Sequence, residues 1–155
     1  MPTWEGWLSL AVLLDVYSRR VIGWAMTDHL RSDLALAALE MALTSRRLAP
    51  NLIHHTDRGC QYTAAAYQAV LAAHGIIPSM SRVGDCYDNA LAESFFATFK
   101  SELVDTQPWP TRRLARQAIF EWLEVFYNRQ RRHSALGYRS PVTFELSSGE
   151  KVRAA

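Results

Sequence analysis

Asp57 and Glu93 are the residues whose type and setting most suggest chemistry. Thirty-five residues lie between them, and each sits in a polar island. The first island is His54-His55-Thr56-Asp57-Arg58-Gly59-Cys60-Gln61-Tyr62. The second is Asp88-Asn89-Ala90-Leu91-Ala92-Glu93-Ser94, with Lys100 seven residues after the glutamate. Two carboxylates beside a basic residue point to Mg²⁺-dependent phosphoryl transfer on a nucleic acid. Mg²⁺ takes hard oxygen ligands, and two such ions about 4 Å apart can activate an attacking oxygen and stabilise a leaving one. A complete site needs a third carboxylate, which the pattern does not supply. Asp15, at the end of an apolar run, is by residue type either a further ligand or a turn former.

Taken singly, each residue has a plainer reading. An aspartate in Asp-Arg-Gly is an ordinary turn residue. Glu93 and Lys100 can be solvated helix charges, and His54 and His55 satisfied strand-end residues. Cys60 and Cys86 lack the spacing of a zinc pair and read as reduced thiols.

The elements that must position these residues follow from the hydrophobic pattern. Trp7 to Leu14 is a continuous apolar run that reads as a buried strand, Tyr17 to Arg20 as a turn, and Val21 to Met26 as the returning strand of a hairpin. Ser32 or Asp33 caps a helix to about Arg47, stopped by Pro50. Leu52 to His55 is a short strand delivering Asp57 to its end. Thr63 caps a helix from Ala64 to Ala73, closed by Gly75. Ile76 to Met80 is an edge-type strand. After a polar loop from Asp85, Asp88 or Asn89 caps a helix from Ala90 to about Leu103. On that helix Glu93, Ala97 and Lys100 share one face, and Ala92, Phe95, Phe96, Phe99 and Leu103 another. Thr111 opens a long helix to about Arg129, with an apolar stripe of Trp122, Val125 and Phe126. Val142, Phe144 and Leu146 pack back on the core. This order is that of a βββαβαβα core lacking its first strand. Residues 1–105 form the core, 106–146 a basic helical extension packed on it, and 147–155 a flexible tail.

At 155 residues and 49% hydrophobic, the chain suits one domain with a real core. A net charge of +2 does not by itself demand nucleic acid. The distribution says more, because Arg112, Arg113, Arg116, Arg129, Arg131 and Arg132 crowd one stretch. That stretch suits phosphate-backbone contact or a solvated basic helix face. No apolar run is long enough to span a bilayer and no signal peptide is visible, so a cytoplasmic protein is expected.

Four strings carry a resemblance: LDVYSRRVIGW (Leu14 to Trp24), HHTDRGCQYT (His54 to Thr63), SMSRVGDCYDNALAESFFATFKSEL (Ser79 to Leu103) and YNRQRRHSALGYRSP (Tyr127 to Pro141). Together with the 35-residue gap and the lysine at +7, they resemble the integrase-like catalytic core of bacterial insertion-sequence transposases. That family is related to retroviral integrases. The resemblance implies an α/β, RNase H-like mixed sheet flanked by helices, and DNA strand cleavage and transfer at element ends. It implies Asp57 and Glu93 as catalytic metal ligands for two Mg²⁺ (or Mn²⁺) ions. It implies DNA contacts by Lys100, with Arg58, Asn89, Arg129, Arg131 and Arg132 as further candidates.

The family's first catalytic aspartate, in an Asp-x-Thr-Tyr context, would precede Pro2. Asp15 matches a different family position. On this reading the chain is truncated at its N-terminus and does not transpose DNA alone. The alternative is a remnant that only binds DNA or interferes with the complete enzyme. The expected partners are DNA and further copies of the chain on paired ends, with nucleoid association when DNA-bound.

Overall fold

The computed structural model describes residues 1–29, 32–46, 48–49, 51–56, 60–80 and 86–153. Among the described residues the strands form three separate pairs. β1 (Pro2–Thr3) and β2 (Gly6–Trp7) make a short antiparallel hairpin. β3 (Ser9–Leu14) and β4 (Val21–Thr27) make a longer one. β5 (Ile53–Thr56) and β6 (Ile77–Met80) run parallel, in register from Ile53↔Ile77 to Thr56↔Met80. Among the described residues no strand joins β3 to β5.

The apolar run expected as a single strand divides at Leu8. Leu8 is fully buried, and its backbone exchanges both hydrogen bonds with Met1, at 2.9 Å each. The β3–β4 register runs from Ser9↔Thr27 to Leu13↔Gly23 and then shifts by one residue before Leu14↔Val21. The connecting turn is held by Asp15, whose Oδ1 accepts from the backbone N–H of Tyr17 (2.8 Å) and of Ser18 (3.0 Å). Its Oδ2 pairs with Arg46 at 2.8 Å. Asp15 is therefore a turn former tied to the end of a helix, the second of its two sequence readings.

Helix α1 (Ser32–Ser45) lies across β4 and β3. The approach is close because Gly23 has no side chain. A Cβ built there would stand 2.2 Å from the Ala38 carbonyl oxygen. Arg47 and Pro50 fall outside the described residues. Beyond β5, α2 (Cys60–Thr63) is one turn, and α3 (Ala65–Ala73) follows it. Thr63 thus ends a short helix instead of capping the next, and the N-cap is Ala64, with no side-chain hydrogen bond. Gly75, at φ +64, closes α3 as expected, with Ile76 N–H donating to the Leu71 carbonyl.

Helix α4 (Cys86–Glu102) starts earlier than the sequence pattern suggests, so Asp88 and Asn89 lie inside its first turn and not at a cap. Helix α5 (Arg112–Phe120) begins at Thr111, whose hydroxyl accepts from Leu114 N–H at 3.2 Å, as expected of that cap. It runs on into a π-helical segment, Glu121–Tyr127. This wider winding redirects the apolar stripe. Trp122, Leu123 and Tyr127 are buried, whereas Val125 and Phe126 are exposed. These residues join Leu8, Val21, Phe95 and Phe99 in the main core. The segment after α4 is therefore built into the core and not merely laid on it. A second cluster, around Leu39, Tyr67 and Leu71, lies between α1 and α3.

Helix α6 (Pro141–Arg153) continues through 147–153, the stretch expected as a tail. Phe144 meets Tyr17 at 5.1 Å between ring centroids, but Leu146 is 67% exposed and does not pack back. Glu145 locks α6 to the hairpin turn by accepting from Ser18 Oγ (2.7 Å), Arg20 Nη1 (2.7 Å) and Arg46. Burial works to raise its pKa, but those hydrogen bonds outweigh it and hold the carboxyl below its usual range.

Candidate active site

Glu93 reaches its place through the amphipathicity of α4. Phe95 and Phe99 are 3% and 5% exposed and anchor the helix to the core. Phe95 meets Trp122 at 5.8 Å and Tyr127 at 5.1 Å between ring centroids, both edge-on. Burying that stripe turns Glu93 and Lys100 to solvent, as the sequence implies. Phe96 departs from the expected apolar face and is 40% exposed. Seven residues of helix set Glu93 and Lys100 on one side, about 10 Å apart along the axis.

Neither Glu93 nor Lys100 has a hydrogen-bond or ion-pair partner among the described residues. A hard, unpaired, solvent-facing carboxylate fits a divalent-metal ligand. Helix α4 also packs against β5, the strand that leads to Asp57. Asp57 and Arg58 lie outside the described residues, as do the side chains of Asn89 and Cys60. Among the described residues, no three of His, Cys, Asp and Glu cluster as a metal site.

The histidines beside Asp57 follow the plain reading in one case. His54 Nε2 lies 2.8 Å from the Tyr67 hydroxyl, inside the second core cluster. Burial pushes its pKa down to about 4, with His55 adding to the effect, and raises that of Tyr67. His54 is thus a neutral structural residue.

The arginines of the C-terminal stretch divide. Arg129 and Arg132 are exposed. Arg131 is half-buried and ion-paired with Glu102. Arg112 pairs loosely with Asp28 at 3.6 Å, and Arg116 donates to the Met26 carbonyl at 2.8 Å. Part of the basic run is therefore structural.

Sequence spacing gave no reason to join Arg19 to His133, yet the fold brings both to one cleft beside α4. There burial pushes the Tyr127 phenol up to about 12, with Arg131 and Arg19 opposing it. Burial, then Arg131 and Arg19, lower the pKa of His133.

Residues 1–86 match the integrase core domain family, and residues 74–141 match a second model of the same description. The chain belongs to the integrase core domain family. It is 49% identical over 145 residues to transposase InsF for insertion sequence IS3A of Escherichia coli strain K12, covering 94% of this chain and 50% of that protein. It is 45% identical, again over 145 residues, to the transposase for insertion sequence element IS904 of Lactococcus lactis, covering 94% of this chain and 57% of that one. This integrase core thus spans about half the length of these relatives. Among solved structures it is similar to the magnesium-bound HTLV-2 integrase catalytic core domain, at TM-score 0.65 and 15% identity over 93% of this chain and 88% of that one. It is also similar to a chain of the simian T-cell lymphotropic virus intasome, at TM-score 0.67 and 15% identity over 93% and 50%. The fold is therefore RNase H-like, and in sequence the integrase core is similar to those insertion-sequence transposases. Among the described residues no helix is long and apolar enough to cross a membrane.

Proposed function

We propose that this integrase core performs the strand cleavage and strand transfer of DNA transposition at insertion-sequence ends, with Asp57 and Glu93 as ligands of Mg²⁺ or Mn²⁺. One observation carries the reading: Glu93 stands exposed, and unpaired among the described residues, on a helix packed against the strand that leads to Asp57. Bound there, divalent ions would activate the attacking oxygen and stabilise the oxygen that leaves phosphorus. The protein's own contribution is to hold Glu93 on a helix anchored in the core, so that little reorganisation of that ligand accompanies the reaction.

Lys100 on the same face of α4 takes a backbone phosphate near the scissile bond, with Asn89 and Arg58 as further candidate contacts by sequence. Arg129 and Arg132 extend the basic surface, while Arg131 contributes less because Glu102 neutralises it. These contacts are sequence-independent and position the duplex without reading it. Homo-multimers assembled on paired DNA ends in the bacterial cytoplasm complete the proposal. The intasome setting of one structural neighbour and the transposase names of the relatives support it.

Mn²⁺ binding, read from loss of the free-ion paramagnetic resonance signal, tests the site apart from turnover. Wild-type chain should bind Mn²⁺, and Asp57→Asn and Glu93→Gln should each weaken binding at least about tenfold. Equal binding by all three proteins would refute the ligand assignment.

A further inference from the structure

A cleft of about 190 Å³ opens between the β3–β4 turn, α4 and the segment after the π-helix. Its polar lining includes Arg19, Ser94, Tyr127, Arg131, His133 and Ser134. Arg131 is neutralised by Glu102, but the guanidinium of Arg19 has no hydrogen-bond or ion-pair partner among the described residues. The hydroxyls of Ser94, Ser134 and Tyr127 likewise make no hydrogen bond within the described chain. His133 Nε2 is buried with no hydrogen-bond partner among the described residues. A buried ring nitrogen left in that state is costly unless a ligand or water satisfies it.

The backbone at Arg19 adds a second, independent sign. Its φ is +62°, in the left-handed region where glycine or asparagine is cheaper. An arginine there carries conformational strain for a side chain that makes no bond to the described residues. Such strain is found where a binding function holds the residue in place.

We propose that this cleft binds one backbone phosphate of DNA, with Arg19 as the charged donor and His133 Nε2–H and the Ser94 and Ser134 hydroxyls as neutral donors. The charge balance suits a phosphodiester. Arg131 and Glu102 cancel, His133 is held neutral by burial and by the neighbouring arginines, and Arg19 leaves one positive charge against one negative. A base is a poorer fit, because Phe95 and Tyr127 are buried and present no open ring face for stacking. Guanidinium is suited to phosphate through two parallel N–H donors.

The cleft is separate from the carboxylate face. Leu91, Ser94 and Thr98 line it, whereas Glu93 and Lys100 stand about 100–180° from them around the helix, at about 100° per residue. The two flanks of α4 would therefore hold DNA at two places, with the phenylalanine stripe between them. This inference rests on the proposed DNA substrate and adds a contact to it.

The test uses the full chain in two assays. The first is thermal stabilisation by inorganic phosphate in a chloride-matched buffer. The second is affinity for a 30-base-pair duplex as a function of salt, read by fluorescence anisotropy. Arg19→Asn removes the charge while tolerating the left-handed backbone, and His133→Phe keeps the ring packing but removes Nε2. Both should abolish stabilisation by phosphate. Arg19→Asn should also lower the log–log salt slope by about 0.9 and weaken duplex binding roughly fivefold to tenfold at 0.1 M salt.

Lys100→Ala, on the other flank, should lower the slope but leave phosphate stabilisation intact. Should Arg19→Asn fail to fold, Ser94→Glu at an exposed helix position places a carboxylate in the cleft and should produce both losses. Unchanged slope in Arg19→Asn with a lowered slope in Lys100→Ala would overturn this site and leave the DNA reading standing. Phosphate stabilisation without any duplex binding by wild type would overturn DNA as the source of the phosphate, and the DNA reading with it.

Discussion

Asn128 and Val21 are joined by two hydrogen bonds across 107 residues of chain. Val21 N–H donates to Asn128 Oδ1 at 2.9 Å, and Asn128 Nδ2 donates to the Val21 carbonyl at 3.0 Å. The asparagine side chain thus acts as one more strand residue, completing the start of β4 from the end of the π-helical segment. The Asn128 carbonyl in turn accepts from Val142 N–H at 3.0 Å, at the start of α6. Both side chains are almost fully buried. Asn128 sits in the string Tyr127-Asn128-Arg129, so a polar residue in a basic stretch serves packing while its neighbour faces solvent.

Asn128→Ala should destabilise the chain by about 2–4 kcal/mol, because it strands a buried N–H and a buried carbonyl together. Asn128→Asp keeps the acceptor and loses the donor, and should also destabilise. Urea unfolding midpoints measure both effects, and midpoints unchanged within error would show that the pair does not matter to stability.

Gly23→Ala should be among the more damaging single substitutions in the hairpin. The new Cβ would meet the Ala38 carbonyl oxygen at 2.2 Å and the Ala42 Cβ at 2.9 Å, both on α1. Backbone cannot yield as a flexible side chain does, so α1 must move off β4, at a cost of about 1–3 kcal/mol. A drop of several degrees in melting temperature is expected, and a neutral result would mean that the helix–sheet spacing adjusts freely.

Stability should fall with acidification through His54. Its folded pKa lies near 4, against 6.5 for the free side chain, because the ring is buried. Above pH 6.5 the ring is neutral whether the chain is folded or not, so its contribution is constant. Between about pH 6.5 and 4 the unfolded chain takes up the proton and the folded chain does not. Stability then falls at a limiting rate of about 1.4 kcal/mol per pH unit. His54→Gln, which can still meet the Tyr67 hydroxyl, should flatten this part of the curve in unfolding titrations at pH 7, 6 and 5.

DNA affinity should separate the arginines by their ion pairs. Arg132→Ala and Lys100→Ala each remove an exposed cation that is unpaired among the described residues and should lower the salt slope by about 0.9. Arg131→Ala also frees Glu102, so in the folded chain it exchanges a neutral pair for a lone carboxylate. Its effect on the slope should be smaller, and its effect on stability larger. Equal slope changes at all three positions would contradict this ordering.

The sequence by itself determined the periodic elements and the residues that might do chemistry. Short apolar runs bounded by turn residues marked the β3–β4 hairpin and the strand leading to Asp57, and helical spacing with a polar cap marked α1. The i, i+4, i+7 spacing of Glu93, Ala97 and Lys100 placed them on one solvent-facing side of α4, because helix geometry is local and needs no partner. The motif strings likewise carried the family. Only the tertiary structure decided which polar residues are already engaged. Asp15 was a ligand or a turn former until Arg46 and two backbone donors claimed its oxygens. The stripe on the last long helix moved from Val125 and Phe126 to Leu123 and Tyr127, because π-helical winding breaks the 3.6-residue period on which the sequence reading relied. Arg19 and His133 became neighbours through a hairpin turn meeting a loop more than a hundred residues away. Hydrogen bonds and ion pairs between distant segments depend on how helices and sheets are stacked, and hydrophobic periodicity fixes which face is buried without fixing what it is buried against.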